Sequence, residues 1–274
     1  MKEMEKFNIT ATDLTEDGRE AVFVAEPLVS GYGITIGNSL RRVLLSTIPG
    51  YAATSIRIDG VLHEISACNG VKEDVPEIVL NVKGIVAKLF TDEAKTVVID
   101  VTGPCNVTAG DITPDAELEI LNPEHHICTV SENARFYMEI TFDKGRGYHL
   151  SEANKQAYLA SGAVGAPIGL IFIDSIFTPV YKVEYNVENT RVGNITDYDK
   201  LTMKVLTNGT ITAKEAVSLA AKVLNEHLKL FIDMSDEAKN AEILVERPEV
   251  KKEKVLEMTI EELDLSVQIG RAHV

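Results

Sequence analysis

The chain has 274 residues, of which 45% are hydrophobic and 6% aromatic, and it contains no tryptophan. This length suits two modest domains, or one large domain with an appendage, around a mostly aliphatic core. Its 42 acidic and 27 basic residues give a formal net charge of -15. That balance argues against a protein that grips nucleic acid with its whole surface, because contacts to phosphates need a basic face.

The cysteines and the N-terminus favour a cytoplasmic protein. The chain has three cysteines, Cys68, Cys105 and Cys128, and none of them forms a CxxC motif. An odd number without this motif argues against a disulfide framework or a structural zinc site. Residues 1–10 lack the apolar segment of a signal peptide. Residues 156–173 carry no charge, but glycines and a proline interrupt them. We therefore expect a short buried strand there and no membrane span.

The first predicted elements are a strand and a helix. Residues 20–29 alternate in hydropathy and predict a strand. A glycine-rich bend follows at residues 31–38, and a helical pattern then runs until Pro49 and Gly50 end it. The apolar positions of this helix are Ile36, Leu40, Val43, Leu44 and Thr47.

The middle of the chain is predicted to be rich in strands. Residues 53–60 and 61–68 predict two strands, and Asp74 begins a short helix that ends at Gly84. Short apolar segments between Gly, Asp and Pro then predict antiparallel strands. These strands are expected at residues 85–90, 95–102, 116–121 and 135–142.

The pattern then returns to longer strands. Residues 145–148 predict a turn, residues 151–167 an irregular loop, and residues 168–174 a buried strand. Alternating segments around residues 181–187 and 201–205 predict two further strands. Because the β-rich middle is flanked by strands and helices at both ends, we predict an α+β fold whose first and last segments belong together.

A second amphipathic helix is predicted to begin at a capping box formed by Thr212 and Glu215. Its apolar stripe consists of Val217, Ala221, Leu224, Leu228, Phe231 and Ile232. The two helices are expected to pack together and to leave apolar surface for a partner helix. Residues 236–264 contain ten acidic and five basic residues and predict a flexible linker.

One glycine motif resembles a nucleotide-binding turn. Gly31, Gly33 and Gly37 follow a strand and open a helix, as in a dinucleotide-binding unit. The spacing is one residue too long for that fingerprint. Nucleotide binding is therefore kept as the alternative. The favoured interpretation is a glycine-rich bend that brings the helix close to a neighbouring surface.

Other residues give weaker signals. His125, His126 and Cys128 lie close together but lack partner ligands at metal-site spacing, so a strand with one exposed and one half-buried histidine is favoured. Arg41 and Arg42 are about 100° apart on a helix, so at most one is expected to lie fully in solvent. They are either a solvated pair or an interface anchor. We predict no catalytic residue, metal ligand or cofactor, since no motif for such chemistry occurs.

The segment GYGITIGNSLRRVLLSTIPGYAATSIRIDGVLHEIS (31–66) is the most distinctive block of the sequence. Further blocks follow it at residues 70–84, 122–130, 145–148, 175–192, 196–201 and 207–211. Together and in this order, the blocks resemble the bacterial RNA polymerase alpha subunit family. The resemblance extends from about residue 20 to residue 235.

The resemblance implies a discontinuous architecture and a scaffold function. Residues 1–49 and 175–235 would form a dimerisation subdomain of one antiparallel sheet and two long amphipathic helices, and residues 50–174 a β-rich insertion subdomain. The family forms a homodimer that scaffolds the beta and beta-prime subunits, which transcribe DNA into RNA from nucleoside triphosphates. The chain would thus be a non-catalytic subunit of a nucleotidyltransferase, located in the cytoplasm within the nucleoid-associated polymerase.

The resemblance also assigns roles to individual residues. It implies a large-subunit contact formed by Gly37, Asn38, Arg42, Leu45 and Lys83. The predicted dimer interface combines the two helical stripes and consists of Ile36, Leu40, Val43, Leu224, Leu228, Phe231 and Ile232.

Beyond residue 235 the expectations concern the linker and the tail. Residues 236–260 are expected to be the acidic linker, and residues 261–267 the start of the family's C-terminal DNA-binding domain. DNA contact would occur only through that domain. The tail IGRAHV (269–274) departs from the family pattern and corresponds to one reading frame of a sequencing adapter, so we expect it to be foreign to the native protein.

Overall fold

The computed structural model describes residues 4–5, 7–162, 165–192, 195–235 and 244–245. The combination of helices and antiparallel sheets confirms the predicted α+β class. The helices are α1 (Tyr32–Ser46), α2 (Val75–Lys83), α3 (Ser151–Ala160) and α4 (Ala213–Ile232), with a 3-10 turn at Ala109–Asp111. The strands are β1 (Met4–Glu5), β2 (Asn8–Asp13), β3 (Glu20–Val29), β4 (Pro49–Ile58), β5 (Ala87–Leu89), β6 (Lys95–Thr102), β7 (Cys105–Thr108), β8 (Leu118–Ile120), β9 (His126–Val130), β10 (Arg135–Arg146), β11 (Tyr148–His149), β12 (Leu170–Phe172), β13 (Ser175–Ile176), β14 (Val180–Val192), β15 (Ile195–Thr207) and β16 (Leu244–Val245).

One antiparallel sheet joins the beginning of the chain to its later part, with the strand order β14-β15-β3-β2. Helices α1 and α4 contact each other and pack against this sheet. The strand predicted at residues 20–29 is confirmed as β3. The predicted capping box is also confirmed, because the Glu215 N–H donates to Thr212 Oγ1 (3.2 Å) and the Thr212 N–H donates to Glu215 Oε2 (2.9 Å).

Helix α1 begins earlier than predicted, directly after Gly31. Only Gly31, with a φ of 87°, forms the turn that follows β3. Gly33 and Gly37 lie inside the helix, four residues apart and therefore on one face. A Cβ atom at Gly33 would lie 2.7 Å from Val187 Cγ1, and one at Gly37 would lie 2.8 Å from Tyr185 Cδ2. Sheet side chains fill the space beside these glycines, so the nucleotide-binding alternative is not supported.

The middle of the chain forms a second antiparallel sheet with the strand order β12-β4-β10-β6. The pairs β5-β8 and β7-β9 accompany it. Helix α2 begins at Asp74 as predicted, since the carboxylate of Asp74 accepts a hydrogen bond from the Glu77 N–H at 3.0 Å. The antiparallel strands predicted between residues 85 and 142 are confirmed as β5, β6, β8 and β10.

Two predictions for the middle of the chain are wrong, and β7 was not predicted. Residues 61–68 form only an isolated bridge at Ala67. Val61 and Cys68 at the two ends of this segment are buried, but Leu62 and Ile65 between them are exposed, so the segment has no continuous buried face. The segment predicted to be an irregular loop begins with α3. No side chain of its own N-terminal residues caps this helix. The cap comes from a distant part of the chain, which local sequence patterns cannot indicate.

Two hydrophobic clusters form the interior. The first lies among residues 53–173, which we call the insertion unit, and contains the fully buried Phe136 and Phe142. The second combines residues 21–48 with residues 180–220. We call the region of the second cluster, together with the rest of α4, the helix–sheet unit.

Most of the linker predicted at residues 236–260 lies outside the described residues, as do residues 261–274 with the tail IGRAHV. Within the linker range, β16 pairs in parallel with β1. The expectations for the linker and the tail stay predictions. No helix in the described ranges is long and apolar enough to cross a membrane.

Candidate functional site

An apolar groove of about 600 Å³ lies between α1, α4 and the sheet, and we call it the α1–α4 groove. Of the predicted dimer-interface residues, four line this groove. They are Ile36, Leu40, Leu224 and Leu228. Leu201 and Met203 of β15 also line it, and its few polar residues are Thr35, Ser39 and Asn225. Helices that are distant in the sequence therefore share one apolar surface.

Helix α4 buries its small residues and exposes its large ones. Ala213, Ala216 and Ala220 are fully buried against the sheet. At the other end of the helix, the side chains of Leu228 and Phe231 are 56% and 70% exposed. Ile232 is exposed beside them, whereas Val43 of α1 is half-buried against the core. Contiguous exposed apolar surface of this kind marks an interaction site.

Helix α1 presents a second face to solvent. Asn38, Arg42 and Leu45 are all exposed, and their spacing of four and three residues places them on one side of the helix. Arg41 is exposed as well. Both arginines are thus exposed, whereas at most one was expected to lie fully in solvent; the fully buried residues of α1 are Gly33, Gly37 and Leu44.

The C-terminal end of α1 adjoins Gly147, which separates β10 from β11, because a Cβ at Gly147 would lie 3.3 Å from the carbonyl oxygen of Ser46. Thr178 Oγ1 donates a hydrogen bond to the carbonyl of Leu45 at 3.4 Å, and Tyr148 pairs with Ile176 across β11 and β13. Leu45, Tyr148, Leu150 and Ile176 are the exposed apolar side chains of this region, and Arg42 lies three residues before Leu45 on the same side of α1. We call this surface the docking face and define it as Arg42, Leu45, Tyr148, Leu150 and Ile176.

Lys83 lies beside the docking face in a polar cluster. Its Nζ is 3.6 Å from Asp174 Oδ2 and 6.0 Å from the centroid of the Tyr148 ring. The Tyr148 hydroxyl donates to Asp174 Oδ2 (2.7 Å), and the Ser151 N–H at the start of α3 donates to Asp174 Oδ1 (2.8 Å). These hydrogen bonds, followed by the charge of Lys83, lower the pKa of Asp174. The charged carboxylate thus joins α2 and α3 to the docking face.

Comparisons with known proteins agree with the resemblance. Residues 56–178 match the family model described as "RNA polymerase Rpb3/RpoA insert domain". The chain is 56% identical over 268 residues to the DNA-directed RNA polymerase subunit alpha of Clostridium kluyveri, from strain ATCC 8527 and from strain NBRC 12016. Each alignment covers 98% of this chain and 83% of the relative. The chain belongs to the DNA-directed RNA polymerase alpha subunit family.

Within this alpha subunit chain, one predicted contact residue lies elsewhere than expected. Gly37 is buried, and a Cβ there would be 2.9 Å from Leu201 Cδ1. It faces the sheet rather than a partner, so its role is to permit close packing of α1. Tyr148, Leu150 and Ile176 were not predicted from the sequence, although the blocks at residues 145–148 and 175–192 contain two of them.

The histidines and cysteine considered for metal binding have separate partners. His125 Nε2 hydrogen bonds with the carbonyl of Asn81 at 2.8 Å. His126 Nε2 lies 3.2 Å from Glu73 Oε1. His126 is exposed and His125 half-buried, as predicted. Burial raises the pKa of Cys128 to about 12, which keeps this thiol protonated and unreactive.

Proposed function

We propose that this chain is a non-catalytic scaffold of DNA-directed RNA polymerase that forms a homodimer and binds the beta and beta-prime subunits. The single observation that carries the proposal is the α1–α4 groove, which is continuous with the exposed apolar end of α4. A single chain leaves this surface open to water, and a second copy presents the same apolar surface to it.

The magnitudes favour association of two copies. Burying one large apolar side chain contributes about 1.5–3 kcal/mol. Leu228, Phe231 and Ile232 from both protomers would therefore contribute on the order of 10 kcal/mol, before the groove residues are considered. Loss of rotational and translational freedom costs about 4–15 kcal/mol. The groove residues of both protomers add to this gain, which is of the same order as the cost and is therefore compatible with a dimer.

The docking face is the surface that we assign to the large subunits. Arg42 forms no ion pair within the described part of the chain, so its guanidinium is available to a partner. Arginine in an apolar surround is typical of interface hot spots. Leu45 follows on the same side of α1, Tyr148 and Ile176 are exposed apolar side chains near the end of this helix, and Lys83 lies beside Tyr148, where it is paired with Asp174. We assign Arg42 to the beta subunit.

Two measurements on the full chain test the proposal. Sedimentation velocity from low to high micromolar concentration should give the mass of two protomers, and the dimer should co-purify with the beta subunit and then with beta-prime. A monomer at high micromolar concentration would contradict the dimer. A dimer that captures neither large subunit would contradict the scaffold role. Saturable binding of a labelled nucleotide would instead favour the nucleotide-dependent alternative.

A further inference from the structure

Residue Asp199 is a charged residue at a buried position of β15. Alternate residues of this strand point to the same side, and the side that packs in the helix–sheet core carries Leu201, Met203 and Val205. Asp199 continues this apolar series at its N-terminal end and is only 6% exposed. A carboxylate is costly to bury unless it is hydrogen-bonded, so its partners identify what it does.

The partners of Asp199 are in the first turn of α1. The N–H groups of Gly31 and Gly33 both donate to Asp199 Oδ2, at 2.9 and 3.0 Å. The first N–H groups of a helix have no partner within the helix, and the helix dipole favours a negative charge beside them. No side chain of the N-cap residue supplies such a bond in α1. The sheet therefore provides the cap that the local sequence lacks.

The backbone around Asp199, Gly31 and Gly33 favours the contact between this carboxylate and the two N–H groups. The pairing of β15 with β3 is irregular between Asp199 and Leu201, and the extra residue lies on β3, because Asp199 pairs with Leu28 and Leu201 with Ala25. Strand β15 therefore keeps the alternation that places Asp199 on the same side as Leu201. The absence of a side chain at Gly33 leaves room for the carboxylate, since a Cβ there would be 2.9 Å from Asp199 Oδ2. Gly31 adopts the positive φ that turns its N–H toward the strand.

Helix α1 carries both surfaces to which function is assigned. Ile36 and Leu40 line the α1–α4 groove, and Arg42 and Leu45 belong to the docking face. The direction of α1 on the sheet therefore sets the position of both surfaces. Before Leu44, the fully buried residues of α1 are Gly33 and Gly37. These glycines let the helix approach the sheet closely, but they have no side chains that could interlock with it.

We propose that Asp199 is a positioning residue for subunit assembly, whose buried carboxylate clamps the first turn of α1 to the sheet and fixes how α1 presents its dimer and large-subunit surfaces. This inference rests on the proposed scaffold function. It joins two sequence blocks that are distant along the chain, the glycine-rich segment at residues 31–37 and the segment at residues 196–201.

The test compares Asp199→Ala and Asp199→Asn with wild type and with the matched control Asp197→Asn, which changes an exposed aspartate of the same strand. Hydrogen exchange of the Gly31 and Gly33 N–H groups, which donate to Asp199, reports the clamp in the full chain. Sedimentation equilibrium gives the dimer dissociation constant.

We expect faster exchange and roughly tenfold weaker dimerisation for the alanine variant. We expect a smaller effect of about threefold for the asparagine variant, which keeps an acceptor but loses the charge. The control should match wild type.

Each outcome of this test either supports or contradicts the positioning role of Asp199. Unchanged exchange in the alanine variant would show that no clamp exists. Faster exchange with an unchanged dissociation constant would reduce Asp199 to a purely structural cap and overturn the positioning role. If the alanine variant does not fold, the asparagine variant decides, because wild-type exchange and affinity there would contradict a clamp that depends on charge. A wild-type chain that stays monomeric would instead refute the scaffold function, while the exchange data would still test the clamp.

Discussion

The insertion unit and the helix–sheet unit close their cores in different ways. In the insertion unit, large side chains such as Phe136, Met138 and Phe142 are fully buried within one chain. In the helix–sheet unit, α4 contributes three buried alanines to the core, while its large residues are exposed. The first core is complete in one chain, whereas the second leaves large apolar side chains exposed, as is typical of an interaction site.

The comparison predicts different responses to core truncation. Phe142→Ala should destabilise the chain by about 3–5 kcal/mol, because it opens a cavity in a complete core. Urea unfolding measures this loss, and the loss should not depend on protein concentration. Phe90→Ala in the same unit is the matched control, since the side chain of Phe90 is exposed, and it should change stability by less than about 0.5 kcal/mol. Equal losses would mean that the insertion core is not closed.

The open surface of the helix–sheet unit predicts an effect on association instead. Leu228→Asp and Phe231→Asp should each cost about 2–4 kcal/mol of dimerisation energy, because a charge would be buried in an apolar interface. Light scattering should then show monomers or aggregates. Leu230→Asp is the control, since Leu230 lies on the same helix about 200° from Leu228. If both leucine variants dimerise equally, the stripe on α4 is not the interface.

The sequence predicts an element well when the signals that determine it are local. The capping box of α4, the Asp74 cap of α2 and the alternation of β3 are all contained in short segments, and all three are confirmed. Helix α3 was missed because its first N–H group, that of Ser151, donates to Asp174, which lies beyond the end of the helix in sequence. The start of α1 was missed because glycine disfavours helix, and only the sheet explains Gly33 and Gly37.

The candidate site is predictable to a smaller extent. An apolar stripe at helical spacing shows that a face is buried, but it does not tell whether the chain itself or a partner covers it. The stripe that contains Leu224 and Leu228 predicted apolar surface for a partner helix, the resemblance implied a homodimer, and the structure adds that both leucines line an open groove. The docking face joins α1 to residues more than a hundred positions away, which periodicity alone cannot reveal.

The docking face allows the two functions of α1 to be separated. Arg42→Ala should leave the dimer intact and weaken capture of the beta subunit by about 2 kcal/mol or more, because a hot-spot arginine would be lost. Pull-down of the beta subunit by the purified dimer measures this effect. Arg41→Ala is the control, since Arg41 is equally exposed but lies about 100° away. Equal recovery of the beta subunit with wild type and Arg42→Ala would identify Arg42 as an ordinary solvated arginine.

The smallest expected effect concerns a polar contact that closes the insertion unit. Glu73 is buried, and burial alone would raise its pKa. The carboxylate accepts hydrogen bonds from the N–H (2.6 Å) and the Oγ1 hydroxyl (3.0 Å) of Thr129. These bonds, with a smaller contribution from His126, lower the pKa of Glu73 below its ordinary value of 4.5. Because the pKa in the folded state is lowered, the stabilisation is fully present above about pH 4.5 and is lost as the pH falls through the folded-state pKa.

Glu73→Gln should therefore lower stability by about 1–2 kcal/mol at pH 7, and the difference from wild type should shrink in acid. Urea unfolding at several pH values measures it, with Glu64→Gln as the exposed control. A difference that stays constant down to acidic pH would show that the charge of Glu73 does not stabilise the unit. A change in dimer affinity would show that the two units are coupled.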